Sequence, residues 1–303
     1  MKAKNIIGVD IGGTKIGVGL VSPSGKVLKK LKVATNVAGG TKSVLASIHE
    51  AVDNLWVNGV GGIGVGIAGL VEPKKGIFKG GPNMPLGMKN YPLAASLNKK
   101  YKVPTSIDND VHCFTLAEAK FGAGKGKNTV FGVTFGTGIG GGIVIGGRIL
   151  RGKNNACGEI GHMTIDFSGA QDKNRGLKGD FESMASGRAM SSLYAASTGR
   201  VLEPLEVQHL AEAGDAQALE VMRTMSSAMA AGISSLLHAF DPDIIVAGGG
   251  LSAVDALWKP MLVTMRDRLT FPDLIKTPVV RAKLGSDANI IGAALLLTER
   301  DKK

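Results

Sequence analysis

Two short glycine turns carry the residues of this chain best suited to hold a charged ligand. Asp10-Ile11-Gly12-Gly13-Thr14-Lys15 stands between two apolar runs, and Gly136-Thr137-Gly138 stands between two more. A residue without Cβ lets backbone N–H groups come close to an anion, so a glycine turn between strands can wrap a phosphate. Thr14 and Thr137 would add hydroxyl donors, and Lys15 a positive charge. Asp10 would add a carboxylate able to orient Mg²⁺ through water. Either turn alone reads equally well as a hairpin with glycine at positive φ. Their recurrence at matching places in the two halves favours a phosphate clamp.

A second group could handle a proton. Moving a phosphoryl group to a hydroxyl needs a carboxylate that accepts the hydroxyl proton in line with the transferred group. Asp108-Asn109-Asp110 lies after a strand and before a helix, and Asp110 is the candidate base. Such a cluster is also a common helix N-cap, and one member can cap while Asp110 stays free. Glu159 and His162, three residues apart, offer an acceptor and an imidazole that can both hold hydroxyls. Glu182 taken alone is a first-turn helix acid, placed there by the helix dipole.

Other glycine patterns carry less. GxGxxG occurs at Gly59/Gly61/Gly64, at Gly64/Gly66/Gly69 and at Gly136/Gly138/Gly141. A dinucleotide site needs strand, turn and then helix, whereas these run into strand or loop. No G-x-x-x-x-G-K-[ST] is present, so an ordinary P-loop is excluded.

The elements that must position these groups alternate between strand and helix. Asn5–Asp10, Ile16–Ser22 and Lys26–Val33 read as an antiparallel meander with a turn at Ser22-Pro23-Ser24-Gly25. Thr41–Val57 has helical spacing, Gly64–Ala68 and Val103–Ile107 read as strands, and Pro73–Pro92 as a loop. A helix is expected over Phe114–Phe121, and Gly122–Asn128 reads as a linker. The opening pattern then recurs: strand Thr129–Phe135, glycine turn Gly136–Gly142, strand Ile143–Ile145. One long helix over Leu210–Phe240 precedes strand Asp243–Ala247 and the turn Gly248-Gly249-Gly250. A helix from about Ser252, strand Val279–Ala282 and helix Ala288–Thr298 close the chain. The order predicts two similar mixed α/β halves. We place a small domain at 1–116 plus 288–303 and a large one at 117–287.

Composition bounds the class. The 303 residues are 44 % apolar, enough for a sizeable core, and the 44 glycines lack the G-X-Y period of collagen. Cys113 and Cys157 form no CxxC, which excludes a disulfide scaffold and fits a reducing compartment. No stretch approaches the ~20 apolar residues of a membrane span, and no secretory segment is read, so a cytoplasmic location with no membrane partner is expected. The net charge of +11 comes from dispersed Lys and Arg rather than basic tracts, which argues against a nucleic-acid partner.

DIGGTK at 10–15, GIAGLVEPKKG at 66–76, PN at 82–83, DND at 108–110, FGTGIGGG at 135–142, GEIGHM at 158–163 and VAGGGLS at 246–252 stand in the order found in ROK-family sugar kinases. The resemblance runs from about residue 5 to about residue 297. It implies the actin-like, hexokinase-type ATPase fold of two ribonuclease-H-like domains with an interdomain cleft. It also implies ATP-dependent transfer to the 6-hydroxyl of a hexose, with Mg²⁺. Glucose comes first; N-acetylglucosamine, N-acetylmannosamine or fructose are the alternatives. By resemblance Asp110 is the catalytic Asp, and Asn109, Glu159, His162 and Glu182 contact sugar, with Gly69 and Asn83 added from the first domain. Gly248, Gly249 and Gly250 resemble the adenosine edge of the nucleotide site, and a homodimer is suggested on the same ground.

The chain departs from the family twice. Most relatives carry three cysteines between GEIGH and the later Glu, which with the His bind zinc. Met163–Phe181 contains none here, so no Cys₃His site can form and no zinc is expected. His112 stands where the family commonly has Asn, and we read it as a first-turn residue without a role. Two other classes of function compete with the enzyme. A sugar-responsive regulator would place a helix-turn-helix ahead of Asp10, where nine residues read as a strand. A catalytically silent sugar binder would have no need of Asp10, Thr14, Thr137 and Asp110 together.

Overall fold

The computed structural model describes residues 4–169 and 178–300, and no helix among them is long and apolar enough to cross a membrane. In chain order the strands and helices of the first half are β1 (Ile6–Ile11), β2 (Lys15–Val21), β3 (Val27–Ala34), α1 (Gly40–Leu55), β4 (Ile63–Ile67), β5 (Leu70–Glu72), β6 (Ile77–Gly80), α2 (Leu93–Tyr101), β7 (Thr105–Asn109) and α3 (Asp110–Phe121). Then follow β8 (Thr129–Phe135), β9 (Ile139–Ile145), β10 (Arg148–Ile149), α4 (Phe181–Ala185), α5 (Gly187–Thr198), α6 (Pro204–Glu212), α7 (Ala216–Phe240), β11 (Ile244–Gly248), α8 (Asp255–Asp267), α9 (Pro272–Ile275), β12 (Val279–Arg281) and α10 (Ala288–Arg300).

The chain divides into two compact units. The first comprises Met1–Asn128, Gly142–Cys157 and Lys283–Lys303, and the second Thr129–Gly141 and Gly158–Ala282. The divisions read from the sequence fall instead at 116/117 and 287/288.

The two five-stranded sheets have corresponding orders, β3-β2-β1-β4-β7 and β10-β9-β8-β11-β12. In the first, β1 pairs antiparallel with β2 and parallel with β4, which pairs parallel with β7. In the second, β11 runs parallel to both β8 and β12. An antiparallel hairpin feeding a parallel trio, twice over, is the duplication seen in the spacing of the glycine turns. The architecture is the actin-like ATPase fold.

The first sheet shows why its residues alternate as they do. Ile7, Val9 and Ile11 of β1 and Ile63, Val65 and Ile67 of β4 are fully buried and pack in one cluster with Val44, Ile48 and Val52 of α1. The intervening positions are Gly8 and Asp10 in β1 and Gly64 and Gly66 in β4. A Cβ on Gly8 would lie 2.0 Å from the Ile290 carbonyl oxygen of α10, and one on Gly64 1.8 Å from that of Ala293. Successive strand residues face opposite sides. The apolar set therefore seats α1, and the glycine set lets α10 lie almost on the strands. Asp10 is on the glycine side, where its Oδ1 accepts from the Asn289 side chain at 3.1 Å.

Several expected elements differ. The helix expected from Phe114 begins at Asp110, because the Asn109 side chain accepts from the amides of Val111 and His112 and starts it a turn earlier. The turn expected over Gly136–Gly142 is three residues long; Gly140 and Gly141 are extended in β9, where a Cβ on Gly141 would lie 2.8 Å from the Gly158 carbonyl. The segment 73–92 contains β6, paired with β5, and α2 follows it where no element was read. The single helix expected over Leu210–Phe240 is two. Gly214 takes φ 87°, which ends α6, and Asp215 accepts from the Ala218 amide to cap α7.

Candidate functional site

In the first unit, the carboxyl ends of the parallel strands β1, β4 and β7 carry the candidate groups, the end at which open α/β sheets bind ligands. Asp10 of β1 stands opposite Gly66 of β4, which stands opposite Asp108 of β7. Asp110 opens α3 directly after β7, and the vacant Cβ position of Gly66 lies 3.4 Å from its Cα. Asp110 is partly buried, and burial, with the charge of Asp10 as the second cause, pushes its carboxyl up to about 7. Donation from the Val111 amide and the charge of His112 hold it from rising further. Burial raises the Asp10 carboxyl as well, against the Asn289 bond.

The turn after β1 is held by its carbonyls. The Thr35 hydroxyl donates to the Gly12 carbonyl at 2.7 Å, and the Thr35 amide to the Thr14 carbonyl at 3.0 Å. The Gly12 amide closes the turn on the Lys15 carbonyl at 3.0 Å. The amides of Gly13 and Thr14 have no protein acceptor among the described residues. Thr35, fully buried, was not singled out from the sequence. Asn83 is exposed beside this turn, its Cβ 2.7 Å from where a Cβ on Gly13 would stand. Gly69, at φ 126°, has no room for a side chain against the Gly80 carbonyl, and its own carbonyl accepts from Asn109 Nδ2 at 3.1 Å. Asn109 therefore spends its oxygen on capping α3 and one amide hydrogen on Gly69, leaving the other hydrogen for a ligand.

His112 is not a bystander. It is buried, its Nδ1 lies 2.9 Å from Asp108 Oδ1, and its Nε2 lies 2.9 Å from the Cys157 carbonyl. Arg151 Nε donates to the other Asp108 oxygen at 2.7 Å. Burial works against both charges, yet the bonds prevail: the Asp108 carboxyl is held below its usual range and the His112 imidazole above. This buried network fixes the junction of β7 and α3 on which Asp110 stands, which corrects the reading of His112 as a residue without a role.

The second unit repeats the carbonyl pattern. The Gly136, Thr137 and Gly138 carbonyls accept from Gly187 N at 2.8 Å, Arg188 N at 3.4 Å and Gly136 N at 3.0 Å. The Thr137 and Gly138 amides have no protein acceptor among the described residues. Gly249, at φ 81°, would place a Cβ 2.3 Å from the Phe135 carbonyl, so the Gly248–Gly250 turn abuts the start of this one. Ser252 secures it by donating its hydroxyl to the Gly249 carbonyl at 2.7 Å. Glu182 Oε2 accepts from the Ile139 amide at 2.8 Å. A short 3-10 turn, Ile160–His162, brings Glu159 and His162 to 3.8 Å, both half-exposed, and a Cβ on Gly161 would stand 3.4 Å from the Glu182 Cβ. Glu159, His162 and Glu182 thus form one neighbourhood with the turn.

Asp10 and Asp110 suit a divalent cation on chemical grounds: two carboxylates whose proximity and burial disfavour a second negative charge would be relieved by one. Mg²⁺ commonly takes one or two carboxylates and fills its other positions with water and phosphate. Among the described residues no three His, Cys, Asp or Glu side chains cluster as metal ligands. Part of the cysteine-free stretch Met163–Phe181, residues 170–177, lies outside the described residues.

Comparison with known proteins gives consistent matches. The model of the ROK family matches residues 6–300. A glucokinase of Thermotoga maritima is 34 % identical over 99 % of both chains, and an N-acetyl-D-glucosamine kinase of Photobacterium profundum is 30 % identical over 95 % of this chain and 98 % of that protein. The structure of a ROK glucokinase from Streptomyces griseus in complex with glucose and AMPPNP superposes with a TM-score of 0.83 at 31 % identity, covering 96 % of this chain and 98 % of that one.

Proposed function

We propose, from the premise that this chain belongs to the ROK family, that it is an ATP-dependent hexose kinase acting on the 6-hydroxyl of glucose. The observation that carries this reading is the polarity of the two glycine turns. Protein donors take the Gly12 and Thr14 carbonyls of the first and the Gly136, Thr137 and Gly138 carbonyls of the second, while the adjacent amides Gly13–Thr14 and Thr137–Gly138 have no protein acceptor among the described residues. A surface that offers N–H groups and hides its C=O groups binds phosphate oxygens. Thr14, Thr137 and Lys15 extend it, and the Gly248–Gly250 turn beside Gly136 suits the nucleoside. Mg²⁺ bound by Asp10 through water would neutralise charge on the phosphates.

Asp110 is the base. It must be ionised to take the proton, yet basic enough to hold it as the hydroxyl oxygen attacks, and a carboxyl near 7 meets both needs. Asn83 and Asn109 of the first unit, and Glu159, His162 and Glu182 of the second, are the side chains of each unit suited to hydrogen-bond sugar hydroxyls.

A coupled ADP-release assay over glucose, mannose, fructose, N-acetylglucosamine and N-acetylmannosamine tests the proposal. Release should depend on hexose, be fastest with glucose, and be unchanged by a zinc-selective chelator in excess Mg²⁺. Preference for an N-acetylated sugar would move the assignment to the activity of the Photobacterium relative. Hexose-independent release, or none, would remove the kinase reading.

A further inference from the structure

We infer that Arg188 is a positioning residue for phosphoryl transfer, joining the Glu182 carboxylate to the Gly136–Ile139 turn as one rigid unit. The inference rests on the kinase reading, because it takes the turn to hold nucleotide phosphates and Glu182 to hold sugar. Arg188 is the second residue of α5. Its Nη2 donates to Glu182 Oε1 at 3.2 Å and its Nε to the Thr137 carbonyl at 3.3 Å, the carbonyl its own amide also reaches. The other Glu182 oxygen accepts from the Ile139 amide. One guanidinium and one carboxylate therefore grip the turn on both sides of Gly138, where a Cβ would lie 2.3 Å from Glu182 Oε2.

The chemistry of this arrangement is directional. Drawing the Thr137 carbonyl toward Arg188 turns the following peptide so that its N–H, that of Gly138, faces away from the protein donors. Fixing Ile139 N on Glu182 keeps that amide from competing for the same ligand. Donors fixed before the ligand arrives need no reorganisation in the transition state. The Arg188 side chain is 55 % exposed and that of Glu182 14 %, and an ion pair whose cation stands in water adds only modestly to stability. Its purpose is then geometric. The same guanidinium fixes the orientation of Glu182, so the phosphate turn and the sugar carboxylate cannot shift separately.

The test uses the whole chain and four variants: Arg188→Ala, Arg188→Lys, Glu182→Gln and Glu182→Gln/Arg188→Ala. Arg188→Ala should lower kcat/KM for ATP at least tenfold and weaken calorimetric binding of Mg-ADP at least threefold, with Tm within 2 °C of wild type. Arg188→Lys should recover part of the loss. Millimolar guanidinium should restore activity to Arg188→Ala but not to the double variant, which lacks the carboxylate that would seat it. Glu182→Gln should raise KM for hexose more than KM for ATP. Kinetics of Arg188→Ala within twofold of wild type, or a loss that tracks a fall in Tm without rescue, would overturn the inference. A wild-type chain that binds Mg-ADP more tightly than Arg188→Ala yet phosphorylates no hexose would retire the sugar-kinase reading and leave the role of Arg188 in the turn standing. A wild type that binds no nucleotide would sink both.

Discussion

Asp110 carries opposed demands. Its charged form is disfavoured by burial and by Asp10, so its folded-state carboxyl sits near 7 while an unfolded Asp titrates near 3.8. The folded chain therefore holds a proton that the unfolded chain has released between those values. The penalty is absent below about pH 4, grows toward pH 7 and is complete above it, where it is on the order of 4 kcal/mol at ~1.4 kcal/mol per unit. Asp110→Asn should accordingly raise the Tm of the Mg-free protein at pH 8, with the gain vanishing near pH 4. The same substitution should cost about 10²–10⁴ in kcat, the usual contribution of a general base, while leaving sugar affinity within a few-fold. For the wild type, kcat/KM should fall on the acid side with an apparent pKa near 7. A thermal-shift series from pH 4 to pH 8 with a pH–rate profile checks all three. Turnover of the Asn variant near that of wild type would take the proton from Asp110 and give it to another group.

The elements show which parts of this were legible in sequence. The alternation Ile7-Gly8-Val9-Asp10 is visible as a strand with two unlike faces, and Asp108-Asn109-Asp110 as a capped helix start. What fills the glycine face is not visible, because α10 begins some 280 residues later. Thr35 escaped for a similar reason. It follows an ordinary lysine-rich edge strand, and only the pairing of β2 with β3, Lys15 opposite Ala34, brings it to the Gly12 carbonyl. His112 was misread because Arg151 and Cys157 are about forty residues away. The break at Gly214-Asp215, by contrast, was written in local chemistry and outweighed by the apolar period around it. Two substitutions separate positioning from packing. Thr35→Val keeps the shape but leaves the Gly12 carbonyl without its side-chain donor. It should raise KM for ATP several-fold, with KM for glucose within twofold, and cost about 1–2 kcal/mol. Gly292→Ala puts a methyl group 1.7 Å from the Cys113 carbonyl, forcing α10 from α3. It should cost about 3 kcal/mol or more, beyond the usual ~1–3 for overpacking, because backbone rather than a side chain must move. Chemical denaturation, with both KM values measured on the folded fraction, distinguishes the two.

At the scale of the whole molecule, the charge of +11 invites a nucleic-acid reading that the placement of the lysines opposes. Lys29, Lys30 and Lys32 are exposed on β3, the edge strand of the first sheet, where lysine discourages pairing with another chain. Lys30 is already paired with Asp287 at 2.7 Å, and Lys100 with Asp53 at the same distance. Lys75, Lys259 and Lys276 likewise face acids three or four residues away in sequence. Charge spread in this way makes a diffuse positive field suited to a polyanionic small molecule, not a stripe that tracks a phosphate backbone. Labelled duplex DNA should therefore bind weakly and without sequence preference. Its affinity should fall at least tenfold between 50 and 200 mM salt, as counterion release requires for even a few phosphate contacts. Across the same range KM for ATP should rise only several-fold, because the turn amides proposed to meet its phosphates are fixed short-range dipoles, which salt screens less than it screens separated surface charges. Fluorescence anisotropy of the DNA and steady-state kinetics in the same buffers decide the matter. A sequence-selective complex that survived 300 mM salt would show that the excess charge is organised for a nucleic acid after all.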